Sequence, residues 1–62
     1  MSNEVVIYNI NEVSKLLKVT VSTIKRYINQ GKLSAFKVGN SWRITKDDIN
    51  EFIAKNRYSR PN

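Results

Sequence analysis

One local pattern recurs three times along the chain: an apolar residue, then Asn or Thr, then a second apolar residue four positions beyond. It appears as Tyr8-Asn9 with Val13, as Val19-Thr20 with Ile24, and as Ile44-Thr45 with Ile49. The Asn or Thr is an N-cap, whose side-chain oxygen takes up an N–H that the helix itself leaves unpaired. The apolar pair around it is a hydrophobic staple, which sets the angle at which the chain enters the helix. Asn9 with Glu12, and Thr45 with Asp48, add capping-box chemistry. Each cap is worth about 1 kcal/mol. That matters in a chain of 62 residues, because a domain this small buries only about 60% of its unfolded surface. Such a chain is one domain, and the repeated pattern marks three helix starts in it.

The first helix is expected from about Ile10 to Lys18, with Val13, Leu16 and Leu17 as its apolar stripe. The second begins at Val21 and ends near Gly31, a residue suited to the left-handed position that closes a helix. Two short helices joined by so short a turn describe a helix-turn-helix. The third is expected from Lys46 to about Arg57, with Ile49, Phe52 and Ile53 turned inward. Asp47, Asp48 and Glu51 sit near its start, where the helix dipole favours negative charge. That role accounts for them better than a metal or acid/base cluster, since nothing else in the chain completes such a site. Val5-Val6-Ile7 reads as a short strand.

Between the second and third helices, apolar residues alternate on either side of Gly39-Asn40: Phe36 and Val38 before, Trp42 and Ile44 after. A period of two flanking a Gly-Asn pair predicts a β-hairpin. A three-residue loop, Gly39-Asn40-Ser41, would set Val38 opposite Trp42 and Phe36 opposite Ile44, making one face wholly apolar. Trp42 is then expected in the core. The same register places Lys37 directly opposite Arg43, an unfavourable like-charge pair that a phosphate between them would relieve.

The charges are unmixed. The chain carries 11 Lys and Arg against 5 Asp and Glu, a formal net charge of +6. No carboxylate occurs between Val13 and Lys46, a stretch that contains Lys15, Lys18, Lys25, Arg26, Lys32, Lys37, Arg43 and Lys46. A block of one sign points to a polyanionic partner. The chain has no Cys and no His, so the usual nucleophile, general-base and zinc-ligand sets cannot be assembled. The expectation is a non-enzymatic protein without metal or cofactor. No apolar run approaches the roughly 20 residues that span a bilayer; no membrane association and a cytoplasmic location are expected.

At 100° per residue, Val21, Ile24, Tyr27 and Ile28 share one side of the second helix. Ser22, Lys25, Arg26 and Asn29 share the other, with Thr23 at its edge. Arg bonds guanine O6 and N7 as a pair, and Asn does the same to adenine N6 and N7. Val21 is placed to touch a thymine methyl. The candidate DNA contacts of this helix are therefore Val21, Ser22, Thr23, Lys25, Arg26, Tyr27 and Asn29. Those of the hairpin are Lys37 and Arg43 as a backbone clamp, with Asn40 and Ser41 at the tip.

These residues carry a resemblance. The string from Tyr8 to Phe52, and above all Asn9 to Ile24, resembles the excisionase-type helix-turn-helix family, and Val38 to Ile44 looks like that family's wing. The resemblance implies a mainly α fold with a small β-hairpin, a MerR-like winged helix-turn-helix of three helices plus wing. It implies recognition-helix roles for Ser22, Thr23, Lys25 and Arg26, wing roles for Lys37 and Arg43, and a backbone contact for Tyr27. It further implies a protein of bacterial, phage or plasmid origin that binds adjacent sites on double-stranded DNA, bends it and promotes integrase-mediated excision. A small transcriptional regulator or repressor of a mobile element is the alternative, and an adaptor for an acidic protein a second. The partners implied are duplex DNA, an integrase or recombinase, and further copies of the chain on neighbouring sites. The coiled coil and effector domain of MerR-type proteins have no counterpart, so no small-molecule effector is expected. Two positions depart from the family: Lys18 stands where Gly is usual in the turn, and Val21 where Arg is frequent. Residues 1–57 are expected to form the DNA-binding domain and 58–62 a flexible basic tail.

Overall fold

A computed structural model describes residues 4–57, so the expected tail at 58–62 lies outside the described residues. The elements run β1 (Ile7–Asn9), α1 (Ile10–Leu17), α2 (Val21–Asn29), β2 (Phe36–Val38), β3 (Ser41–Thr45) and α3 (Lys46–Asn56). All three helices begin at the caps read from the sequence. Asn9 accepts from the Glu12 N–H at 2.8 Å while Glu12 Oε1 accepts from the Asn9 N–H, a complete capping box. Thr20 and Thr45 accept from the N–H groups of Thr23 and Asp48 at 3.2 and 3.0 Å.

The staples are also the core. Val13, Ile24 and Ile49, which lie four positions beyond the three caps, are buried together with Leu33 and Ile44. Tyr8 and Val19, the apolar partners of the first two caps, pack against that cluster, and Ile44 is the partner of the third. One set of residues thus starts each helix and holds the helices together. Burying each fully is worth about 1.5–3 kcal/mol.

Both helices of the helix-turn-helix end in a Schellman motif. At the end of α2, Gly31 has φ +74°, and the N–H of Lys32 bonds back to the Tyr27 carbonyl at 2.9 Å. At the end of α1, the Val19 N–H bonds back to the Ser14 carbonyl at 2.9 Å, and the left-handed residue, φ +58°, is Lys18. The position at which Lys stands in place of the family's Gly is therefore one where the backbone is left-handed.

The sheet corrects several expectations. It has three strands in the order β1-β3-β2, all antiparallel. The first strand is Ile7–Asn9 rather than Val5-Val6-Ile7, and it pairs Tyr8 with Ile44. The hairpin loop has two residues, not three: Val38 pairs with Ser41, Lys37 with Trp42 and Phe36 with Arg43. Gly39, with φ +62°, is the first loop residue and Asn40 is not at positive φ, the pattern of a II′ turn, whose twist suits a hairpin. Ser41 accordingly belongs to β3 rather than to the loop. In this register Lys37 faces Trp42, and its ammonium lies 4.8 Å from the indole centroid. The ammonium itself lies over the ring as a cation–π contact, and Lys37 stays exposed, so this face tolerates a cation. Phe36 and Val38 are left on the other face, 40% and 55% exposed.

Three further residues differ from expectation for the same reason, a core smaller than the apolar pattern. Leu16 and Ile53 are 54% and 47% exposed, and Trp42 is half-buried and belongs neither to the core cluster nor to the residues packed against it. Phe52 does turn inward, stacking tilted on Tyr27 at 5.2 Å between centroids.

Candidate nucleic-acid interface

The second helix divides as its periodicity requires. Ile24 is fully buried and Tyr27 and Ile28 are half-buried against the core, which leaves Ser22, Lys25, Arg26 and Asn29 exposed on one acid-free face. Val21 and Thr23, at the edge of that face, are half-buried. Thr23 is also committed locally: its hydroxyl shares a 2.9 Å hydrogen bond with that of Thr20. The Tyr27 ring meets Phe52, tilted at 5.2 Å between centroids, and has the Arg26 guanidinium carbon 5.7 Å from its centroid.

The hairpin residues separate. Asn40 is exposed in the loop and Ser41 at the start of β3, but Lys37 and Arg43 are not the facing pair that the longer loop would make. Arg43 is half-buried on the central strand, between Asn9 of β1 and Phe36 of β2. One of its terminal nitrogens donates to the Trp42 carbonyl at 3.1 Å, which bends the guanidinium back along the strand and leaves its other donors available. Among the described residues none of Lys25, Arg26, Lys37 and Arg43 forms a salt bridge; the ion pair present is Glu51–Lys55 on α3. Their charge is therefore available to a partner rather than cancelled within the fold.

A cleft of about 360 Å³ joins the two halves of this surface. Lys25 enters it from α2, Asn40, Ser41, Trp42 and Arg43 from the hairpin, and Asn11 from the first turn of α1. No carboxylate lines it. Asn11 carries no signal of its own in the sequence: it is a lone amide outside the packing stripe of the helix that precedes α2. The other two depressions differ in chemistry. One, near the start of α3, is lined by Glu4 and Asp47; the other, between α1 and α3, is mainly apolar, with Leu16, Leu17 and Ile53. No group of His, Cys, Asp or Glu able to hold a metal occurs among the described residues, and no described helix is long and apolar enough to cross a membrane.

Known proteins bear on the surface. Residues 7–57 match the family described as helix-turn-helix domain. The chain is also similar to the uncharacterized protein YvgK of Bacillus subtilis (strain 168), at 37% identity over 59 residues. That match covers 95% of this chain but only 19% of the relative. No solved structure matches the chain.

Proposed function

The chain belongs to the helix-turn-helix domain family, and we propose that it binds double-stranded DNA without catalysing a reaction on it, with α2 in the major groove and the β2-β3 hairpin against the backbone. The observation that carries this reading is the acid-free face of Ser22, Lys25, Arg26 and Asn29, exposed on the second helix of the helix-turn-helix. Hydroxyl, amide and guanidinium groups on one helical face match the donors and acceptors of base edges, while Lys25 supplies phosphate attraction. In the hairpin, Lys37, Asn40, Ser41 and Arg43 are the proposed backbone contacts. A single module of this size covers roughly 600–1,000 Å² of DNA-facing surface, so strong binding requires neighbouring copies or a second protein on the same DNA.

Within that reading, the excisionase resemblance supports an architectural role: side-by-side binding at adjacent sites, bending of the duplex, and assistance to an integrase. No reacting group is required, since contact energy offsets the deformation of the DNA. The regulator alternative uses the same surface, since a protein that only occupies its site needs the same base and phosphate contacts.

Binding to a labelled duplex, followed by anisotropy across a salt series, tests the first claim. Affinity should fall as a power of salt concentration as phosphate contacts release counterions. No duplex binding at low salt would overturn it. An excision assay with a cognate integrase, together with gel-mobility measurement of bending, separates the architectural role from plain repression.

A further inference from the structure

The cleft between α1, α2 and the hairpin has a composition that neither base reading nor packing accounts for. Two cations from different elements, Lys25 and Arg43, line it with the amides of Asn11 and Asn40, and no acid offsets them. Asn11 is exposed, and its side-chain amide makes no hydrogen bond among the described residues, whereas its neighbours Asn9 and Glu12 are occupied by the capping box. Arg43 spends one donor on the Trp42 carbonyl and keeps the rest of its guanidinium donors unspent. Amide donors and two positive charges lining one open, acid-free concavity suit a singly charged phosphodiester.

We infer that this cleft seats one backbone phosphate of the bound duplex, held by Lys25 and Arg43 together and by the amide of Asn11. The inference rests on the DNA-binding reading and deepens it. The phosphate ties the recognition helix, the helix before it and the hairpin to a single point on the strand. That point sets the depth and rotation at which α2 enters the groove. The phosphate attraction of Lys25 is thereby given one place, shared with Arg43, and Asn11 joins the interface.

The test uses a short mixed-sequence duplex, the whole chain, and salt series from about 50 to about 200 mM. Each phosphate neutralised contributes about 0.9 to the slope of log affinity against log salt. If Lys25 and Arg43 serve one phosphate, Lys25→Gln and Arg43→Gln each lower the slope by up to about 0.9, and the double variant by no more than that. If they serve separate phosphates, the double variant loses about 1.8, and the shared seat is wrong. Asn11→Asp places a carboxylate in the cleft and should weaken binding at least tenfold, roughly, on every duplex. The same change sits in the first turn of α1, where negative charge favours the helix, so loss of fold does not explain lost binding. Unchanged affinity of Asn11→Asp would overturn the seat while duplex binding by the unaltered chain stands. If the unaltered chain itself fails to bind, the DNA reading falls and the seat with it.

Discussion

Lys18 and Gly31 close α1 and α2 with the same backbone geometry, φ +58° and +74°. A residue with a Cβ pays about 1–2 kcal/mol to stand in the left-handed region, because the Cβ crowds the following carbonyl. Glycine avoids that cost but gives up about 0.5–1 kcal/mol of extra backbone freedom on folding. The difference predicts that Lys18→Gly stabilises the domain by about 0.5–1 kcal/mol, raising Tm by roughly 2–8 °C at this chain length. Lys18→Ala retains the Cβ and removes the charge. It should leave stability within about 0.5 kcal/mol of the starting chain. The reverse change, Gly31→Ala, should cost about 0.5–1 kcal/mol by the same difference. At Gly31 a Cβ would meet nothing within 4 Å, so that loss measures backbone strain without a clash. Urea unfolding followed through Trp42 fluorescence and helical circular dichroism reads all three. Equal stability of the Gly and Ala variants would assign any gain to relief of charge repulsion in this basic chain. A less stable Gly variant would refute the strain argument outright.

Other outcomes follow from the same geometry. Arg26→Ala should cost about 1–3 kcal/mol on a preferred duplex and relax sequence preference, as measured by competition between related duplexes. Lys37→Ala removes the cover of the indole and should shift Trp42 emission to longer wavelength in the free protein. If the emission is unchanged, Lys37 does not shield the ring in solution. Thr20→Ala should destabilise the domain by about 1 kcal/mol through the lost cap, and it frees the Thr23 hydroxyl for other partners; chemical denaturation gives the value. Ile24→Ala, at the centre of the core, should cost about 2–5 kcal/mol in the same measurement and abolish cooperative unfolding near physiological temperature.

The helices were legible in the sequence because their determinants are local. Asn9, Thr20 and Thr45 act on N–H groups three residues away, and the staples that accompany them lie within a single turn. The polar face of α2 was legible for a similar reason: once Ile24 is buried, the 3.6-residue period decides which side chains remain outside. The positive φ at Lys18 was also foreseeable, but only through the resemblance, since nothing about a lysine announces a left-handed backbone. The strands were harder. Ile7–Asn9 is too short to be written in its own residues, and it exists because β3 offers an edge in the folded molecule.

Local residue chemistry is therefore enough to specify three capped helices, a hairpin centred on Gly39-Asn40, and a basic block without acids. The tertiary structure alone decided the register of that hairpin and the neighbours of its charges. Counting apolar residues favours a loop that puts Phe36, Val38, Trp42 and Ile44 on one face. In the fold, β1 pairs Tyr8 with Ile44, the Gly39 turn closes in two residues, and Lys37 lies over Trp42. A lysine ammonium can sit over an aromatic ring as a cation–π partner, a pairing of polar with apolar that binary patterning does not register. The consequence is functional. Arg43 is separated from Lys37 and lines one cleft with Lys25 and Asn11, residues whose distance in sequence gives no sign that they meet.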